Sequence, residues 1–391
     1  MSIKRIPLGL GAICLLTLAL LGTFHLLGPA RKVAAPSVTT PKPPMLTSEQ
    51  CTAHLPDGFL TGQVLIVGID GRDLASRASL IKQFSIGGVV LTSAPIEPYD
   101  GSIQAFKTTA ASLNVSPLIT SDEEGGIIQR FTVLGALPSP REAAATMTPA
   151  QAQQLITRYG QKLKAAGVDM VLGPLADVAP TQGDGVLGSR VFSSDPQTVA
   201  NFAEAYVRGW EAAGLVPVLK HFPGMGSATG NTDYTLATTP PFSSLRQRDF
   251  LPYENGMAVS GTAVMVGNQT VPGWFTGPAS LSPVVDSYLR IMLGYSADLV
   301  MTDSLSAVAV TSVTDQATAV VDAVAAGNDM VIAADPPSDL SSDTALLQEI
   351  QTGLTAALQD KTISRQHLIA AVTRKLQAQH VDPCSVKSSL E

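Results

Sequence analysis

Eight short apolar runs recur along this chain with room for a helix between successive members. They lie at residues 64–69, 88–91, 117–120, 170–172, 216–219, 263–266, 299–301 and 330–333, and Ala-rich stretches of helical period, such as 150–166 and 197–213, alternate with them. Few folds accept eight such β-then-α units. A chain of 391 residues, less an N-terminal segment, leaves roughly 330, which suits either one barrel or two ordinary domains. The eightfold repeat selects the single (β/α)8 TIM-type barrel of the α/β class, whose site lies at the C-terminal ends of the strands. The runs end in, or next to, Asp70, Thr92, Asp122, Asp177, Lys220, Asn268, Asp303 and Asp335, so polar side chains crowd that face.

Composition narrows the ligand. With 45% hydrophobic residues, 33 Gly and 27 Pro, the chain can build a large core. A net charge of −7 without any basic run argues against nucleic acid as a partner, because phosphate binding needs clustered Lys and Arg. No His/Cys/Asp cluster at ligand spacing implies a metal, and no Gly-x-x-x-x-Gly-Lys loop implies a nucleotide, so no cofactor is expected.

Residues 6–28 form a long apolar stretch flanked by Lys4 and Arg5 before it and Arg31 and Lys32 after it. Such a stretch can span a bilayer with the body outside, and it also reads as a secretory signal cleaved near Val33-Ala34-Ala35. Either reading places the body outside the cytoplasm, membrane-anchored or secreted. Cys14 follows Ile13, where a lipoprotein signal carries a small residue, so lipidation is discounted. Residues 1–32 are therefore read as anchor or signal, and 33–54, rich in proline (Pro36, Pro41, Pro43, Pro44), as a semi-extended tether. Residues 55–384 form the barrel and 385–391 a tail. Cys51 and Cys384 bracket the body. In an exported chain they are expected to form a disulfide, since a closed barrel brings its ends together, the alternative being two unrelated thiols.

Residues 217–226 read Pro-Val-Leu-Lys-His-Phe-Pro-Gly-Met-Gly, a buried run that breaks after delivering Lys220 and His221 to a loop. This signature resembles glycoside hydrolase family 3, in its β-N-acetylglucosaminidase branch. Ser121-Asp122-Glu123-Glu124-Gly125-Gly126 with Gln129-Arg130, Gly173-Pro174-Leu175-Ala176-Asp177, Gly188-Ser189-Arg190 through Asp195-Pro196, Pro278-Ala279-Ser280-Leu281-Ser282 and Met301-Thr302-Asp303-Ser304-Leu305 are similar to further segments of that family. The resemblance runs from about residue 60 to about residue 335. It implies Asp303 as nucleophile, with Asp122, Arg130, Arg190, Lys220 and His221 as substrate contacts, the Gly pair letting the backbone approach the ligand. Asp195-Pro196 has a mainly structural role, its plain reading being a helix N-cap.

One loop departs from the family pattern. The branch continues Gly-His-Gly and then Asp-Ser-His, whose His is the general acid/base. Here Met225 takes the first His, and an ungapped alignment puts Asn231 and Asp233 at the Asp and His positions. Aligned on the Asp, the His position instead holds Thr235. Asn268 stands where the sixth-strand segment commonly has His. Two functions are therefore open. One is an exported β-N-acetylhexosaminidase-like hydrolase of amino-sugar or cell-wall glycans, retaining, with Asp303 as nucleophile and Asp233 or a substrate group as acid/base. The other is an impaired relative that binds a sugar or serves as a scaffold at the cell envelope. The expected ligand contains N-acetylglucosamine, while any protein partner, the exact sugar and phosphorolysis cannot be read from the chain.

Overall fold

A computed structural model describes residues 46–95, 97–256, 261–334 and 339–386. The anchor or signal region, most of the expected tether, Asp335 and residues 387–391 of the tail lie outside the described residues. Eight parallel strands close a barrel: β1 Leu65–Asp70, β2 Gly88–Ser93, β3 Leu118–Ser121, β4 Met170–Val171, β5 Val216–Phe222, β6 Ala263–Val266, β7 Val300–Ser304 and β8 Met330–Ala334. Each strand pairs with its sequence neighbours, and β1 meets β8 through Leu65↔Val331 and Ile66↔Ile332. The eight apolar runs are these eight strands.

Strands buried on both faces read as continuous apolar runs because their alternate side chains enter two different cores. Ile66 of β1 packs inside the barrel with Val90, Leu118, Met170, Met265 and Met301, whereas its neighbours Leu65, Val67 and Ile69 face the helical layer. On β6, Ala263 and Met265 point inward while Val264 and Val266 join Phe222, Phe250 and Tyr253 outside. The interior is thus filled by branched and flexible apolar side chains, and polar groups are left to the strand ends.

The helix starts follow local chemistry. Thr148 caps Pro149–Ala165 in a capping box with Gln151, and Asp195 caps Pro196–Ala212 by accepting from the Thr198 N–H, each with proline in the first turn. Asp195 therefore has the structural role its sequence context suggests. Gln316–Ala325 is capped in the same way by Asp315.

The end of the expected tether is itself folded. Residues 46–54 carry a capped helix, Ser48–Thr52, because Thr47 and Gln50 complete a capping box and Thr52 is buried against Thr373, whose hydroxyl lies 2.8 Å away. Cys51 and Cys384 are disulfide-bonded with Cα atoms 5.0 Å apart.

Candidate active site

The strand ends surround a cavity of about 500 Å³, lined by Asp122, Arg130, Arg190, Lys220, His221, Asp233 and Asp303 together with Thr92, Glu124, Met225 and Tyr234. All seven candidate catalytic and substrate-contacting residues from the sequence share this one wall. Asp70, also at a strand end, is occupied elsewhere, paired with Arg72 and Ser93.

The segment after β3 is extended, and its period of two sorts three consecutive acids. Asp122 and Glu124 face the cavity. Glu123 points the other way and accepts from Ser121 Oγ (2.8 Å), Tyr159 Oη (2.6 Å) and the backbone N–H groups of Arg130 and Phe131. Burial pushes the Glu123 carboxyl up to about 7 in spite of these donors, and the four hydrogen bonds make it a structural anchor of the turn. The glycine pair that follows is required by close packing. A Cβ on Gly125, at φ +97°, would meet the Pro138 carbonyl at 2.2 Å, and one on Gly126, at φ +61°, would meet Ser139 Cβ at 2.7 Å. It is the 137–139 segment that comes close.

Lys220, buried at the end of β5, places its Nζ 2.7 Å from both Asp122 Oδ1 and Glu124 Oε1. Arg190 grips Glu124 in a two-pronged pair at 2.8 Å through each nitrogen, and Arg130 Nη2 lies 3.5 Å from Asp122 Oδ2. Burial would raise both carboxyls. For Asp122 the charges of Lys220 and Arg130 outweigh it, and for Glu124 those of Lys220 and Arg190 do, so both lie below their ordinary values. Burial likewise works against the Lys220 ammonium, but the two carboxylates hold its pKa above the usual value. This preformed, ionised lattice presents fixed donors and acceptors suited to a polyhydroxylated ligand. Glu124 ties Lys220 to Arg190, a role whose signal in the sequence is its place two residues from Asp122 in an extended segment.

His221 is buried, and its Nδ1 lies 2.7 Å from Asp177 Oδ2. Asp177 also accepts from the backbone N–H groups of His221 (3.1 Å) and Met225 (2.6 Å). The carboxylate thus orients the imidazole and ties down the start of the loop. Asn268 donates to the Ser304 carbonyl at 2.7 Å and accepts from Ser280 Oγ at 2.6 Å, so it braces the strand end beside Asp303.

Asp303 sits half-buried at the end of β7 and accepts from the Ser304 N–H at 2.7 Å. Burial raises its pKa and the like charge of Asp233 adds to the rise, while His221 and Lys220 act in the opposite direction. The two acids are therefore electrostatic neighbours. Their relative placement is held by the backbone, since the Ala309 and Val308 N–H groups donate to the Thr232 (3.0 Å) and Asp233 (3.3 Å) carbonyls. The loop carrying Asp233 is pinned to the turn that follows Asp303. Among the described residues, no cluster of three His, Cys, Asp or Glu side chains is arranged to hold a metal ion.

A closed (β/α)8 barrel with an ionised, carboxylate-rich pocket at the C-terminal ends of its strands is the class that fold and site define. Within that class the chain belongs to glycosyl hydrolase family 3, the model of whose N terminal domain matches residues 61–378. It is 36% identical over 259 residues to the β-hexosaminidase LpqI of Mycobacterium tuberculosis, an alignment covering 64% of this chain and 66% of that protein. It is 32% identical over 308 residues to a β-hexosaminidase of Xylella fastidiosa, covering 75% of this chain and 90% of the relative. The crystal structure of a family 3 glycosyl hydrolase from Mycobacterium smegmatis superposes with a TM-score of 0.76 at 34% identity, covering 84% of this chain and 98% of that one. These relatives support the β-N-acetylglucosaminidase branch that the sequence motifs resemble.

Proposed function

We propose that the protein is a glycoside hydrolase of the β-N-acetylhexosaminidase type, removing a terminal N-acetylglucosamine-like sugar by a retaining, two-step mechanism. The observation that carries this reading is the convergence of Asp303, Asp233 and the Asp122–Lys220–Glu124–Arg190 lattice on one cavity. The lattice would hold the sugar hydroxyls. Asp303 would attack the anomeric carbon and form a glycosyl ester as the glycosidic bond breaks. Asp233 would donate its proton to the leaving oxygen, then take one from the water that cleaves the ester. His221, oriented by Asp177, would contact the substrate close to Asp303.

Export belongs to the same proposal, with residues 1–32 as anchor or cleaved signal, the following prolines as tether and cell-envelope glycans as substrate. The test is release of the aryl group from an aryl N-acetyl-β-glucosaminide by the purified protein, with Asp303→Ala as control. Turnover that vanishes in Asp303→Ala is expected. Sugar binding without any turnover would refute hydrolysis and leave a sugar-binding protein, and turnover unchanged by Asp303→Ala would refute the nucleophile.

A further inference from the structure

Tyr234 follows the proposed acid/base in the chain and lines the same cavity, yet it is 79% exposed. A large aromatic ring left so open at the edge of a charged pocket is unpacked by the protein itself. It is not loosely held, however. Its N–H donates to the Asn231 carbonyl at 3.1 Å, and the residues just before it are pinned to the Val308–Ala309 backbone. Leu236, 60% exposed, lies on the same loop, and Val308, 38% exposed, is in the turn whose backbone binds the Asp233 carbonyl, so further exposed apolar side chains belong to these two segments.

We infer that Tyr234 is the platform on which the leaving-group sugar rests, and so a specificity-determining residue for what is attached to the terminal sugar. This rests on the function proposed above. A terminal sugar held by the lattice within the cavity directs its leaving group outward, past the residues of the rim. The axial C–H groups of a pyranose give it an apolar face, and an aromatic ring on a rigid loop meets such a face with little entropy lost on binding. The polar tip of the tyrosine stays in water, which explains how the ring is tolerated when no glycan is bound. The chemical class favoured is a glycan whose second residue is a pyranose presenting that face, over one with a small alkyl or highly charged leaving group.

The experiment compares the affinity of the full chain for N-acetylglucosamine and for its β-1,4-linked disaccharide by titration calorimetry, in an Asp303→Asn background that blocks turnover. Tyr234→Ala should weaken disaccharide binding about 3- to 10-fold, the range of one aromatic contact, and leave monosaccharide binding unchanged, while Tyr234→Phe should keep both affinities. A disaccharide affinity unmoved by Tyr234→Ala, or equal losses for both sugars, would overturn the platform with the proposed function intact. Failure of the Asp303→Asn protein to bind either sugar would overturn the sugar-processing reading itself, and the platform with it.

Discussion

Lys375 offers a quantitative test of the barrel's lower end. It lies fully buried on the C-terminal helix Arg365–Ala378 and donates to Gln63 Oε1 at 2.6 Å, the amide of which donates in turn to the Ser85 carbonyl. Burial without a directly paired carboxylate lowers its pKa from 10.5 to about 7, with only the more distant charge of Asp169 opposing the shift. A lysine whose folded pKa is depressed destabilises the fold. The penalty is complete below the folded value, and it disappears as pH rises toward the unfolded one, because between the two the unfolded chain binds an extra proton. At 1.36 kcal/mol per unit the shift corresponds to about 5 kcal/mol at most. Lys375→Met removes the titration but also the hydrogen bond to Gln63, worth about 1–2 kcal/mol, so the difference in urea unfolding free energy between wild type and variant should be followed with pH. Wild type should gain on the variant by about 3 kcal/mol between pH 7 and pH 9.5. A difference that does not change with pH would mean that Lys375 titrates as an exposed lysine does, and the packing argument would fail.

The proposed nucleophile gives a second pH test. Asp303 must be ionised to attack, so kcat/KM should fall as pH drops through its pKa, which burial and Asp233 hold above the ordinary value. Asp233→Asn should slow an unactivated disaccharide by about 10²–10⁴ while sparing an aryl glycoside with a good leaving group; equal losses on both substrates would exclude Asp233 as the acid. Cys51→Ser with Cys384→Ser opens a closure spanning 333 residues. By chain entropy this should destabilise the fold by up to about 5 kcal/mol, read as a lower melting temperature with the same aryl-glycosidase rate; an unchanged melting temperature would refute the stapling role.

The barrel was legible because both of its signals are periodic: apolar runs of strand length alternate with helical stretches, and both faces of each strand are buried. The pocket was legible because chemically distinctive residues stand at run ends, where a parallel barrel gathers them. Pairing was harder to read. Nothing in the order Asp122-Glu123-Glu124 says that the middle acid turns away to Tyr159, 36 residues further on, or that the third joins Lys220 to Arg190. The packing constraint that residues 137–139 place on the glycine pair is likewise a tertiary fact that the order of residues does not show. The helix at Ser48–Thr52 was hidden by the prolines before it, but its capping box, Thr47 and Gln50, was present in the sequence.

The loop that departs from its family does so without losing its frame, and this bears on how the substitutions should be read. Position 225 contributes its backbone N–H to Asp177, a bond that any side chain permits, so the methionine keeps the tie while giving up an imidazole. The Asn231 side-chain carbonyl accepts from the Asp233 N–H at 3.0 Å, a local turn that an aspartate would form equally well. Thr232, buried, sets its hydroxyl 3.5 Å from Met225 Sδ, so the methionine packs against the middle of the loop. The backbone bonds to Val308 and Ala309 involve no side chain at all. Structure and proton chemistry are therefore separable in this loop. The differences from the family pattern at 225, 231 and 233 leave the main-chain frame in place, and the carboxylate at 233, held near Asp303 by main-chain bonds, is the group proposed for proton transfer.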